Sequence, residues 1–284
     1  MKFCLGFIFT TLIFNFCSAQ VLTDSLTLRD TEWDMCSPAS LKELQIPSNG
    51  SLMQGFMYKA NGKQKHRTLL LLHGYPGNER NLDLAQIVRA HGWNVIYFNY
   101  RGSWGSQGKF SFENCVQDVV NAVSFCKKYQ DSLQIDTTSI VLFGHSMGGW
   151  VCLKSVQQLP TIKKAFALST WDIYGDLKNA HSEIEIIKLA TEGDGENFVL
   201  NSSIKEIFTP ILKKSEYFNL ANDGKALANK QIIMVDEHTL NKKIADTIRK
   251  ENKGYFDYQI WQTDHPFSNK RVALIKLVLS FLDK

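Results

Sequence analysis

The sequence predicts an α/β protein with an eight-stranded, mostly parallel sheet, helices on both faces and a helical cap inserted late in the chain. Three observations carry this. From residue 68 onward, short strand-like apolar runs alternate with helical patterns, as successive β-α-β units require. Two of the runs, 68–72 and 140–143, are almost continuously apolar, as strands covered on both faces should be. Between 171 and 229 the alternation lapses into charged stretches around short helical patterns.

Taken in order, strands are expected at 42–47, 52–60, 68–73, 94–100, 139–144, 163–170, 231–236 and 258–264. The first two flank Asn49-Gly50, a dipeptide suited to a tight hairpin, and so form an antiparallel cap on one sheet edge. Helical patterns fall at 80–91, 112–129, 147–159, 239–252 and 269–283; in the second, Val116, Val119, Val120 and Val123 share one face. The chain therefore divides into a leader at 1–19, the first part of a main domain at 20–170, a cap at 171–229 and the rest of the main domain at 230–284. No internal repeat or low-complexity linker interrupts it.

The leader is read from Lys2, the apolar run from Phe3 to Phe16 and the small residues Ser18 and Ala19. The run is shorter than the ~20 residues of a spanning helix, so a cleaved secretory signal is expected, with Gln20 first in the exported chain. A secreted or periplasmic protein follows, with lipidation at Cys17 as the alternative. Removing 1–19 takes away one cation, Lys2, and no acid, so the formal charge falls from +4 to +3. That charge, without a basic groove interleaved with aromatics, argues against nucleic acid. Cys36, Cys115, Cys126 and Cys152 remain, and 284 residues with 44% hydrophobic content bury a core that needs no disulfide staples, so no pairing is predicted. With no HExxH motif and no Cys/His cluster, neither a metal nor another cofactor is expected.

The chemistry centres on Gly144-His145-Ser146-Met147-Gly148, directly after a buried strand and directly before a helix. A sharp strand-to-helix turn forces the serine into a strained backbone conformation, and only glycine fits beside it; Ser146 is the candidate nucleophile. In chains built on this turn the orienting acid and the basic histidine follow the serine. Of His181, His238 and His265, the first lies in the cap and the second just after the 231–236 strand. His265 lies past the last strand and is the candidate base. For the acid, Asp236 at the end of 231–236 is the first choice, with Asp172 and Glu237 as alternatives. The loop His73-Gly74-Tyr75-Pro76-Gly77 supplies an oxyanion hole from the amides of Tyr75 and Met147, since Pro76 has no N–H to offer. His73 precedes the nucleophile and is assigned to holding that loop. In the glycine-rich 99–108 stretch, Trp104 is the candidate substrate contact, with support of the loop as the competing role.

Together, His73-Gly74-x-Pro76-Gly77, Tyr100-Arg101-Gly102-x-x-Gly105-Ser106-x-Gly108, Gly144-His145-Ser146-Met147-Gly148-Gly149 and Asp264-His265-x-Phe267 resemble secreted α/β-hydrolases related to serine aminopeptidases, acylaminoacyl-type peptidases and small esterases. The resemblance runs from about residue 42 to the C-terminus. It implies the α/β-hydrolase fold, serine chemistry on an acyl carbonyl, and a small ester or short peptide as substrate. Relatives carry Gly-x-x-Asp after the seventh strand, whereas Met234-Val235-Asp236-Glu237-His238 lacks the glycine, which leaves the acid open. Ester hydrolysis through an acyl-serine is the first functional expectation. A serine exopeptidase is the second, and needs a cap carboxylate to hold a substrate amine, from Glu183, Glu185, Glu192, Asp194 or Glu196. A non-catalytic binding protein on the same fold is the third.

Overall fold

The computed structural model describes residues 33–192 and 198–284; the expected leader at 1–19 lies outside the described residues. Eight strands form one sheet: β1 (Ser40–Ser48), β2 (Ser51–Lys59), β3 (His66–Leu72), β4 (Asn94–Phe98), β5 (Ile135–His145), β6 (Lys164–Leu168), β7 (Gln231–Asp236) and β8 (Tyr255–Ile260), in the order β1-β2-β4-β3-β5-β6-β7-β8. β1 pairs antiparallel with β2 and β2 with β4, and every later pairing is parallel. The β1–β2 turn places Asn49 (φ 44°) and Gly50 (φ 79°) in the left-handed region, the pair of conformations that lets a two-residue turn follow the twist of its strands.

The continuous apolar runs resolve into two cores because successive side chains leave opposite faces of a strand. Leu70, Leu72, Ile96, Phe98 and Leu142 pack on one side with α2 (Phe112–Lys128), α3 (Met147–Gln158) and α8 (Lys242–Glu251). Leu69, Leu71, Val95, Tyr97, Val141 and Phe143 pack on the other with α1 (Leu82–Ala90) and α9 (Arg271–Asp283). Between β6 and β7 lie the short α4 (Ile173–Leu177), α5 (Glu183–Glu192), α6 (Ile204–Lys213), α7 (Ser215–Phe218) and a 3₁₀ turn, Leu220–Asn222. α6 starts with a reciprocal Ser203–Glu206 capping box and buries Ile207, Phe208 and Ile211 in the first core.

Two strands depart from expectation, β5 starting at Ile135, four residues before the 139–144 reading, and β8 at one edge of the sheet. β8 begins at Tyr255, directly after Gly254, and ends at Ile260, so it is three residues earlier than the 258–264 reading at its start. It is the sheet's far edge, most of it only half-buried, so its composition carries little of the apolar signal that marks the inner strands. Residues 261–270 therefore form a long loop with His265 near its middle.

Candidate active site

The C-terminal ends of β3, β5, β6, β7 and β8 all release their loops at one edge of the sheet, where open α/β sheets bind ligands. Ser146 follows β5 with φ 59° and ψ −123°, a conformation that costs a non-glycine residue about 1–3 kcal/mol. The turn is so tight that a Cβ on Gly144 would run into the Gly148 carbonyl, and one on Gly148 into the Leu72 carbonyl of β3. The strain is held by backbone bonds on both sides. Ser146 N–H donates to Leu168 O at 2.9 Å, and Ser146 O accepts from Gly149 N at 2.9 Å and Trp171 N at 3.1 Å. α3 then starts at Met147, so the helix dipole favours negative charge beside Ser146.

The loop after β3 passes directly over this turn. A Cβ on Gly74 would lie 3.0 Å from Ser146 Cβ and 3.5 Å from its Oγ, which leaves the space to the backbone of Gly74 and Tyr75. Tyr75, bonded to Pro76 through a cis peptide, borders both cavities that reach Ser146, and Met147 is fully buried as the first residue of α3. His73 is buried with its Nδ1 2.8 Å from Gly74 O, and burial pulls its pKa down to about 4, so it is a neutral part of the loop. Trp104 is not where a substrate contact was expected. Its indole N–H donates to Pro76 O at 2.8 Å, its ring lies under Arg80, and among the described residues both cavities are walled without it. The half-buried Pro76 carbonyl takes its donor from the indole, which supplies it from behind the loop.

His265 sits in the β8–α9 loop and is half exposed, with its Nδ1 2.8 Å from Glu237 Oε1. The expected Asp236 does not meet it. Strand alternation decides this: Ile233 and Val235 face the α1–α9 side, Glu237 continues that parity, and the loop around His265 is anchored on that side by buried Phe267. Asp236 has the opposite parity, is wholly buried, and accepts from Thr170 N at 3.2 Å. Burial pushes its carboxyl up to about 6, partly offset by Asn241, Tyr258 and the Thr170 amide. Glu237 goes the other way. Burial disfavours its charge, but hydrogen bonds from His265 and Ser169 outweigh that and hold it down at about 2. Asp172 is also elsewhere, capping α4 through Gly175 N at 2.9 Å.

Two further residues brace His265, and the sequence reading named neither for a role. Ser169, at the end of β6 and 1% exposed, places its Oγ 2.8 Å from His265 Nδ1 and 2.8 and 2.6 Å from the two Glu237 oxygens. His145 is buried, kept neutral by burial with a pKa of about 4, and its Nε2 lies 3.0 Å from the His265 carbonyl, so its N–H donates there. Arg271 at the start of α9 reaches Asp83 with two nitrogens and also donates to Asn81 Oδ1 and the Pro266 carbonyl, tying the His265 loop to α1.

Ser146 and His265 both line two adjoining cavities. One, of about 530 Å³, runs along the Gly74–Glu79 loop to Phe198 and Val199. The other, of about 720 Å³, lies under the helices between β6 and β7, with Tyr75, Trp171, Leu177, Leu189 and Phe208 on an apolar part of its wall and Ser169, Asp172, Asp176, Lys178, His238 and Asn241 on a polar part. The acids expected to hold an amine lie apart from both: Glu183 pairs with Lys205 at 2.7 Å, Glu185 accepts from His181 N, and Glu192 pairs with Lys188. Asp194 and Glu196 lie outside the described residues. Among the described residues, no group of three or more His, Cys, Asp or Glu side chains is placed to hold a metal ion, and no helix is long and apolar enough to cross a membrane. Cys36, Cys115, Cys126 and Cys152 are free thiols.

Comparison with known proteins agrees with this architecture. The structure matches an α/β hydrolase, GrgF from Penicillium sp. sh18, with a TM-score of 0.65 at 17% identity, covering 86% of this chain and 98% of that one. The chain has the α/β-hydrolase fold. The Pyrococcus furiosus esterase Pf2001 is a second structural neighbour (TM-score 0.62, 16% identity, 86% and 91% coverage). The family described as serine aminopeptidase, S33, matches residues 63–182, a stretch that includes Ser146 and stops short of Glu237 and His265. An uncharacterized protein of Rickettsia prowazekii is 32% identical over 106 residues, 35% of this chain and 43% of that protein. The chain spans between 26% and 56% of the length of the curated relatives it matches.

Proposed function

We propose that this chain is a serine hydrolase that cleaves carboxylic esters through an acyl-serine intermediate. The observation that carries the reading is the strained Ser146 turn, sharing two cavities with a histidine whose Nδ1 is held 2.8 Å from the Glu237 carboxylate. His265, with its proton on Nδ1, leaves Nε2 free to take the Ser146 hydroxyl proton as Oγ attacks the acyl carbon. Glu237 keeps that tautomer and stabilises the imidazolium that forms. The Tyr75 and Met147 amides, with the α3 N-terminus, receive the oxyanion; losing one such donor typically costs about 10²–10³ in rate. His265 then protonates the departing alcohol, and a water activated in the same way releases the acid and restores Ser146.

Ester substrates are favoured by the apolar part of the larger cavity's wall, Tyr75, Trp171, Leu177, Leu189 and Phe208, which suits an acyl chain, and by the esterases among the structural neighbours. In this reading the inserted segment 171–229 acts as the cap that selects the acyl group. The exopeptidase reading is the second, and the carboxylates of Glu79, Asp172 and Asp176 on the cavity walls favour it. Export directed by residues 1–19 remains part of the proposal, to be checked by N-terminal sequencing of the exported chain for a start at Gln20.

Fluorophosphonate labelling of the protein and of Ser146→Ala tests the chemistry. Labelling that disappears in Ser146→Ala supports it, and labelling that persists unchanged overturns it. A panel of short p-nitrophenyl esters against aminoacyl anilides tests the substrate, and cleavage of the anilides alone would replace ester with peptide.

A further inference from the structure

The catalytic reading leaves one buried hydroxyl unused, and it touches both groups on the far side of the histidine. Ser169 occupies the end of β6 in the left-handed region, φ 45°, with its N–H donating to Val235 O at 2.7 Å. That backbone bond fixes the residue against β7, next to the point where Glu237 leaves the strand. From there Oγ lies 2.8 Å from Glu237 Oε1, 2.6 Å from Oε2 and 2.8 Å from His265 Nδ1. Glu237 Oε1 is itself 2.8 Å from His265 Nδ1, so the three groups close a triangle.

We infer that Ser169 is a positioning residue for the proposed reaction, holding the Glu237 carboxylate and the His265 ring in one geometry; this rests on the reading of His265 as base and Glu237 as its partner. The hydroxyl proton goes to the carboxylate, its only charged acceptor there, and the oxygen then shares the His265 Nδ1 proton with Glu237 Oε1. The need for such a residue follows from the side chain. Glutamate has one more torsion than aspartate and loses more rotamer freedom when fixed, and His265 is half exposed, so water competes for both partners. Ser169 is 1% exposed, at the edge of the larger cavity, so water reaches its hydroxyl far less than it reaches His265, and the hydroxyl lies within hydrogen-bond distance of both carboxylate oxygens.

The test uses p-nitrophenyl butyrate as the probe with Ser169→Ala and Ser169→Gly. Loss of one hydrogen bond to a charged group corresponds to about a tenfold loss of kcat, with KM changed less than about twofold. Ser169→Gly separates hydroxyl from backbone, because glycine adopts this φ freely; it is expected to be as slow as Ser169→Ala. In a Glu237→Gln background the Ser169→Ala loss is expected to vanish, since the group it positions is gone. If both single variants keep kcat within about twofold, or if the Ser169→Ala loss is undiminished alongside Glu237→Gln, the inference is wrong while the reading of Glu237 stands. If Glu237→Gln alone leaves kcat unchanged, the reading of Glu237 falls first and takes the inference with it.

Discussion

The turn at Ser146 and the corner formed by Ser169, Glu237 and His265 are neighbours on one sheet edge and are held by opposite means. The turn is locked by backbone: glycines packed against carbonyls of β3 and α3, and main-chain bonds to Leu168 and Trp171. The corner is locked by side chains: one carboxylate, a hydroxyl and two histidines, His265 and the buried His145 that donates to its carbonyl. A backbone lock depends on what is absent, since any added atom collides. A side-chain lock depends on charge and protonation, so it responds to pH and tolerates an exchange of partners that a packed turn does not.

The largest expected effect comes from breaking the turn. Gly148→Ala puts a methyl into the Leu72 carbonyl, and unfolding in urea should show destabilisation of about 3 kcal/mol or more, together with loss of labelling at Ser146. Next, the corner: Glu237→Gln should lower kcat by about 10²–10⁴, by analogy with loss of the orienting acid in other triads, whereas Asp236→Asn should keep kcat/KM within about threefold. The reverse pattern would return the acid to Asp236.

A smaller effect separates the same two carboxylates by the sign of their pH dependence. Asp236 titrates at about 6 when folded against an ordinary 3.8, so the folded state holds a proton that the unfolded chain has lost. Its contribution to stability is full below about pH 4 and falls as pH rises toward 6, by up to roughly 3 kcal/mol. Glu237, held at about 2 against 4.5, contributes stability above pH 4.5 that is lost as pH falls toward 2. Urea midpoints from pH 3 to 7 should therefore lose their decline between 4 and 6 in Asp236→Asn, and lose part of their acid-side fall in Glu237→Gln. The smallest effect is at Trp104: replacing it by Phe keeps the ring but orphans Pro76 O, for an expected three- to tenfold drop in kcat with little change in KM, of about 1 kcal/mol.

The same contrast explains what could be read from the sequence. Ser146, its glycines and the strand and helix beside it are local, because the collisions that define the turn lie within a few residues or against an unmistakable apolar strand. The inner strands and the five helices outside the β6–β7 connection were legible for the same reason, whereas the start of β5 and both ends of the half-buried edge strand β8 were not. The corner is not local. Asp236 and Glu237 differ only in parity, and choosing between them requires knowing that the His265 loop is anchored by Phe267 on the Ile233–Val235 side. Ser169 and His145 look like strand-end residues until the chain brings them within 3 Å of His265. Trp104 drew attention as a large aromatic in a glycine-rich loop, but the indole N–H was the part that mattered. In the insertion, α5 buries only Ile186, too little pattern to reveal which of its faces meets a ligand.

The hydrogen bonds of Trp104 have one more consequence. Its amide donates to Val199 O at 2.9 Å while its indole donates to Pro76 O, and Asn201 N–H donates to Gly102 O beside it. The segment that leads into α6 is thereby geared to the strip of backbone that would polarise the carbonyl. A substrate that shifts the inserted helices on entering would turn that gear, so selectivity and turnover would change together, and variants that widen the acceptance of bulky acyl groups would run slower even on small ones.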